Sequence, residues 1–159
     1  MYDPDVTGVG HQPRGFDQIM SLYSHYTVTK CEMRCMFDAS QPHDGAYIIG
    51  IYEDQLQASN TDPEDIMEKS KMVSYMNSTA LGRNTVKFTS YPNRRLGYNN
   101  PGNLQGPYKG SSSTNPSDQI FLKPFTFWPS NQHTIQDVTV VAVIDYTAVF
   151  SELIQPTKS

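Results

Sequence analysis

Apolar and polar residues alternate most regularly towards the end of the chain. From 138 to 150 every even position is apolar, whereas the odd positions include Thr139, Asp145 and Thr147. A period of two residues is typical of a strand that turns one face to a core. The pattern therefore predicts one long strand, which would span ~40 Å at about 3.3 Å per residue.

Two further segments have strong strand patterns. Residues 121–128 place Phe121, Phe125 and Phe127 on one face, which we expect to anchor a core. The prolines in and after this segment limit it to a sheet edge or a bulge. Residues 46–52 are apolar on both faces, as in a central strand that is covered on both sides.

A fourth strand is predicted over residues 26–37, with a change of parity inside it. Its apolar positions are even up to Val28 and odd from Cys31 onward. A β-bulge near Thr29 or Lys30 would reconcile the two halves within one strand. Weaker strand patterns follow at 72–76 and 86–91.

Two short helices are predicted between the strands. The first follows Arg14-Gly15 and has an apolar stripe at helical spacing, made of Phe16, Ile19, Met20 and Tyr23. The second begins at Asp62 as the N-cap, with Pro63 in the first helical position. Its stripe consists of Ile66, Met67, Ser70 and Val73. We expect both stripes to be packing faces.

Composition supports a β fold. Only 18% of the 159 residues are charged, and the chain contains 10 Tyr and 7 Phe, which favour strands. A chain of this length can bury enough core to fold as one domain. Together with a long loop predicted at 92–118, the pattern predicts an all-β jelly-roll sandwich. It would have two antiparallel sheets, short helices in its loops, and a single domain over residues 1–159.

The charge of the chain restricts its partners. A net charge of −4 argues against neutralisation of a nucleic acid by the chain as a whole. Arg94-Arg95 is the only basic dipeptide and is the candidate nucleic-acid contact. It could instead meet acidic groups of a neighbouring subunit or form a solvated turn. No apolar run of membrane-spanning length and no signal-peptide pattern occurs, so no membrane partner is expected.

Metal binding and disulfide formation are not expected. Cys31 and Cys35 lie in a predicted strand, where they would be roughly 13 Å apart, too far for a disulfide. We predict reduced core residues, and no histidine has zinc-finger spacing from them. Asp3 and Asp5 flank Pro4 at a spacing that could share Ca²⁺, but a turn capped by these carboxylates is the favoured interpretation. No cofactor is expected.

An enzyme is not expected either. The sequence lacks the Gly-x-Ser-x-Gly, P-loop, Gly-x-Gly-x-x-Gly and His-Glu-x-x-His motifs. A hydrolase interpretation rests only on Asp44, Glu53 and Asp54, and a solvated acidic turn explains these residues as well. We therefore assign no catalytic residue.

Several short motifs follow one another at the start of the chain. They are a Tyr-Asp-Pro turn at 2–4, a Gly-x-Gln-Pro segment at 10–13, a Phe-Asp-Gln helix at 16–18 and a Tyr-x-x-Tyr-x-Val strand start at 23–28. In this order they resemble the capsid proteins of circular Rep-encoding single-stranded DNA viruses. Residues 144–150 are similar to the last strand of that family, and 91–97 to its basic turn before a glycine.

The resemblance implies an eight-stranded jelly roll whose copies form an icosahedral shell around circular single-stranded DNA. The partners would then be copies of the chain and viral DNA, in the virion and in the host nucleus during assembly. Family members begin with a basic arm followed by the first strand, whereas this sequence opens at the turn after that strand. We therefore expect that arm and strand to be missing and DNA binding by this chain alone to be weak.

The competing hypothesis is a carbohydrate-binding module on the same sandwich. Aromatic side chains could stack on sugar rings and amides could bond the hydroxyls. The candidates are Tyr98, Tyr108, Trp128, Asn99, Asn100 and Asn103. Both hypotheses are compatible with a virus that attaches to a host surface glycan.

Overall fold

Strands dominate the part of the chain that the structure describes. This computed structural model describes residues 2, 4–5, 11–39, 47–55, 62–68, 73–78, 82–95, 107–127 and 138–155. The strands are β1 (Tyr23–Ala39), β2 (Tyr47–Asp54), β3 (Val73–Ser78), β4 (Gly82–Ser90), β5 (Phe121–Phe127) and β6 (Val138–Leu153). The short helices are α1 (Phe16–Met20), α2 (Pro63–Glu68) and α3 (Pro92–Arg95).

The strands form two antiparallel sheets that pack against each other. The first sheet has the order β4-β1-β6 and the second the order β3-β2-β5. The pairing is nested, since the first strand lies beside the last and the second beside the fifth. A long antiparallel ribbon rolled into two sheets gives this nesting, which is the principle of a jelly roll. The predicted all-β sandwich is confirmed.

The chain divides into two compact units. One consists of Met1–Cys31, Tyr91–Gln119 and Tyr146–Ser159, and the other of Glu32–Ser90 and Ile120–Asp145. We call them the first and the second unit. The prediction of a single domain over residues 1–159 stays a prediction.

The core of the second unit lies between the sheets. Alternate residues of β1, β2 and β4 contribute its buried side chains, which are Met33, Cys35, Phe37, Tyr47, Ile49, Ile51, Val86 and Phe88. In the central strand β2, Ile49 lies opposite Met76 on one flank and Thr126 on the other. Flanked on both sides, β2 is buried almost throughout, as predicted for residues 46–52.

The first unit has a smaller core built around Tyr26. Phe16 and Met20 of α1 are buried against this ring, and the Phe16 and Tyr26 rings meet edge to face at 5.3 Å. Val28 and Phe150 pack against the same cluster. The even-numbered Tyr26 and Val28 of β1 thus pack in the first unit, and the odd-numbered Met33, Cys35 and Phe37 pack in the second. The parity change is real, while the bulge proposed for it stays a prediction.

Strand β6 confirms the predicted long strand and extends it to Leu153. Its alternation holds from Ile144 onward, where even positions are half-buried and odd positions up to Val149 are exposed. Val140 and Ala142 are exposed, however, so the prediction of a core position was wrong for them. Among the described strands β6 has a neighbour on one flank only, and side chains at a sheet edge are covered less than those of a central strand.

Strand β5 lies at the edge of the second sheet, as its prolines predicted. Leu122 packs against the core between the sheets. Phe125 and Phe127 have the opposite parity and therefore lie on the outer face, where Phe125 contacts Tyr52 with ring centroids 5.9 Å apart. The predicted aromatic face exists, but it was wrongly assigned to the core.

The two predicted helices are present with shorter stripes. Phe16 and Met20 of α1 are buried, whereas Ile19 is exposed and Tyr23 already belongs to β1. In α2 the backbone N–H of Glu64 donates to Asp62 Oδ1 at 2.9 Å, which confirms the N-cap. Ile66 is buried in α2. Val73, predicted as part of this stripe, is the first residue of β3, and Ser70 lies outside the described residues.

Candidate functional site

Arg94 and Arg95 lie on α3, directly after β4. Pro92 begins this helical turn, and the carbonyl of Tyr91 accepts hydrogen bonds from the backbone N–H groups of Arg94 and Arg95 at 2.9 and 3.3 Å. Proline is favoured in the first turn because its missing N–H has no helical partner there. The two arginines are exposed and lie in a helical turn, and the three interpretations of this dipeptide stay predictions.

An aromatic ring accompanies these arginines. The guanidinium of Arg94 lies 4.7 Å from the centroid of the Tyr91 ring, and this ring is itself exposed. A stacked guanidinium keeps its in-plane N–H donors available for a phosphate. Arginines beside an exposed aromatic ring are also the groups that contact single-stranded nucleic acids. The arrangement is compatible with the candidate nucleic-acid contact, which stays a prediction.

A charged cluster joins three distant parts of the first unit. Glu152 accepts a hydrogen bond from Lys109 Nζ at 2.5 Å through Oε1, and its Oε2 lies 2.9 Å from His25 Nδ1. The Lys109 hydrogen bond, aided by the nearby His25, lowers the pKa of Glu152 against a smaller effect of burial. Glu152 has a φ of 61°, which is uncommon for a residue other than glycine.

Sequence reasoning missed this charged cluster. His25, Lys109 and Glu152 lie on separate segments, and no motif links them. Such a cluster becomes visible only once the last strand is placed beside the first. Its geometry ties the end of β6 to the start of β1 and to the segment before Gly110, which makes it a structural clamp within the first unit.

Large apolar side chains are exposed at the ends of α1, β1 and β6. Leu153 is 65% exposed and Leu22 56%, and Ile19 and Ile154 are exposed as well. The Leu22 carbonyl accepts a hydrogen bond from the Ile154 N–H at 2.8 Å, and the Leu22 N–H donates to the Ile19 carbonyl at 2.9 Å. We call these four residues the terminal patch.

A second exposed apolar group lies on β6 in the second unit. Val140, Val141 and Val143 are exposed, Val141 to 49%. Successive side chains of a strand point to opposite faces, so Val141 and Val143 share one face and Val140 lies on the other. We call Val141 and Val143 the valine row. A strand edge with exposed valines can pair with another chain through its backbone and its side chains. Val141 and Val143 are apolar residues at odd positions of β6, but the even-numbered apolar positions set the predicted core face, so these two valines were not selected.

Four of the other candidates lie within the described residues, namely Asp5, Glu53, Asp54 and Tyr108. Glu53 is buried, and Asp54 lies 3.8 Å from Lys123 Nζ in a half-buried ion pair. Tyr108 is half-buried. The remaining candidates for sugar binding, calcium binding or hydrolysis lie outside the described residues, namely Asp3, Asp44, Tyr98, Asn99, Asn100, Asn103 and Trp128.

The cysteines are core residues. Cys31 and Cys35 are free thiols, and both are buried, as predicted. Burial raises the pKa of Cys35 to about 11, so its thiol is protonated at neutral pH. Within the described ranges, no three His, Cys, Asp or Glu side chains are grouped so that they could hold a metal ion.

Comparisons with known proteins add no family. No family model matches the chain, and no curated protein matches it. Among the described residues, no helix has the length and apolar character needed to cross a membrane. The resemblance to a capsid family therefore rests on the short sequence motifs alone.

Proposed function

We propose that this chain is a structural protein whose copies associate into a viral shell, of the kind formed by capsid proteins of circular Rep-encoding single-stranded DNA viruses. The observation that carries the proposal is β6, a strand of 16 residues at the edge of its sheet with exposed valines. Native proteins usually shorten, charge or cover such an edge. An exposed apolar strand edge is therefore a surface on which other copies are expected to bind.

The fold gives further support. A two-sheet sandwich presents several surfaces, and repeated contacts between copies can close into a symmetric shell. The proposed location is the virion, with assembly in the host nucleus.

Contact with single-stranded DNA is a secondary part of the proposal. Arg94, Arg95 and Tyr91 would bind a phosphate and stack on a base. With a net charge of −4 the chain provides little general attraction for DNA, so this contact would be weak.

Size exclusion with light scattering tests the proposal. The purified chain, run over a series of concentrations, is expected to give a high-mass species that grows at the expense of the monomer. A monomer at all concentrations would contradict self-assembly. A glycan panel run on that monomer would then test the carbohydrate-binding hypothesis.

A further inference from the structure

The two exposed apolar surfaces belong to different compact units. The terminal patch (Ile19, Leu22, Leu153 and Ile154) lies in the first unit, and the valine row (Val141 and Val143) lies in the second. Apolar groups at this level of exposure, surrounded by polar residues, are typical of protein–protein contacts. We therefore expect each surface to bind a partner, and the charges of the two units indicate which partner binds to which surface.

The charge of the chain is divided unevenly between the units. The first unit contains six basic and five acidic residues, and the second contains six basic and eleven acidic residues. Two second units would repel each other, whereas a first unit and a second unit carry net charges of opposite sign. Complementary charge steers association and selects the orientation of a contact.

We propose that the terminal patch of one copy binds the valine row of a second copy, in a head-to-tail contact. This inference rests on the proposed function and names the surfaces that would carry it. Since the two surfaces differ, each bound copy leaves one patch and one row available for further copies. Such heterologous contacts build rings or larger closed assemblies rather than isolated dimers.

The polar border of the patch fits this contact. Lys109 and His25 lie beside the last residues of β6 and are held there by Glu152. The row is followed along β6 by Asp145, whose carboxylate is exposed and lies 3.9 Å from Arg34. Each border is thus an exposed ion pair, Lys109 with Glu152 beside the patch and Arg34 with Asp145 beside the row, and charges of opposite sign can pair crosswise when two copies meet and so fix the orientation of the contact.

Two charged variants test the inference by complementation. Leu22→Asp with Leu153→Asp alters the patch, and Val141→Lys with Val143→Lys alters the row. Each variant alone is expected to need a concentration about tenfold higher or more for association, because central apolar contacts carry most of the binding energy. An equimolar mixture is expected to associate again, since acidic patches then meet basic rows.

A matched control and a folding check accompany these variants. Thr85→Asp with Thr89→Asp changes two exposed residues of β4, outside both surfaces, and is expected to associate like the wild type. Thermal unfolding of each variant verifies that it folds. Mass is measured by sedimentation velocity at several concentrations, for each variant and for the mixture.

The outcomes separate this inference from the proposed function. Wild-type association that both variants leave unchanged would overturn the contact while the shell proposal stands. Loss of association in the patch variant alone would also overturn it, as expected if patch met patch, and so would loss in both variants without recovery in the mixture. Recovery in the mixture together with wild-type oligomers that never close into particles would support the contact and count against the shell.

Discussion

Tyr26 joins three separate stretches of the first unit. Its backbone exchanges hydrogen bonds with Gly110 at 2.9 and 3.0 Å, and its hydroxyl accepts one from the backbone N–H of Tyr2. The same hydroxyl donates to Asn115 Oδ1 at 3.2 Å. The side chain is fully buried, and burial raises its pKa. The backbone and hydroxyl of Tyr26 thus anchor residues 110–115, a segment with little regular secondary structure, to β1.

Gly110 makes this arrangement possible. A Cβ at this position would lie 2.3 Å from the Tyr26 ring, which cannot move because it is buried. Gly110→Ala is therefore expected to lower the free energy of unfolding by about 1–3 kcal/mol, as overpacking does. Urea unfolding checks this value, with the exposed Ser112→Ala in the same segment as the control. Equal stability of Gly110→Ala and Ser112→Ala would show that the Tyr26 ring can shift to accommodate the added methyl group.

Glu152 predicts a pH dependence. Because its pKa is lowered in the folded state from the ordinary value of 4.5, its ionised form stabilises the fold above that value. This contribution is lost as the pH falls through the lowered pKa. The Tm of the wild type should thus exceed that of Glu152→Gln at pH 7, and the gap should close below pH 4.5.

The substitution isolates the charge of Glu152. Glutamine keeps the same backbone φ requirement, so any strain at this position is common to both proteins. Adding Lys109→Gln to both proteins should reduce the difference in Tm between the wild type and Glu152→Gln. Glu68→Gln, at the exposed end of α2, serves as the control. A gap that persists unchanged at pH 3 would rule out the ion pair as its cause.

At the scale of elements, the cap of α2 can be tested by itself. The helix has only six residues, and the Asp62 carboxylate satisfies one of its first free N–H groups. Asp62→Ala is expected to cost about 1 kcal/mol. Urea unfolding measures the loss, and Asp62→Asn, which retains a capping oxygen, should restore most of it. No difference between Ala and Asn would show that the cap contributes nothing.

The strands were largely predictable because each has a simple local pattern. β2 has apolar residues on both faces and is central, and β5 contains Pro124 and lies at an edge. The faces were harder to assign. Phe125 and Phe127 fit a core by composition, and only the register opposite Gly50 and Ile48 places them on the outer face.

Side-chain clusters could not be predicted in the same way. The clamp of His25, Lys109 and Glu152 depends on which strands become neighbours, and a single sequence contains no signal for that. Arg94 and Arg95 could be selected because they are adjacent in the chain. The helical turn that begins at Pro92 brings the Arg94 guanidinium over the Tyr91 ring. The sequence had indicated a loop at these residues, so this contact was not predicted.

At the scale of the whole molecule, the DNA contact makes a quantitative prediction. Arg94→Gln with Arg95→Gln should weaken binding of a labelled oligo-dT, measured by fluorescence anisotropy. The slope of log K against log salt should fall by about 1.4 for two lost single-strand phosphate contacts. Arg14→Gln, an exposed arginine elsewhere in the first unit, is the control. Unchanged affinity and slope would exclude these arginines from DNA binding.

Self-assembly is the central claim, and negative-stain electron microscopy of the high-mass fraction tests it most directly. The account predicts closed, hollow particles of uniform diameter from the wild-type chain. It also predicts their absence from the variant that combines Val141→Lys and Val143→Lys. A monodisperse monomer, or only irregular aggregates that the lysine variant forms equally well, would contradict a shell built through the edge of β6.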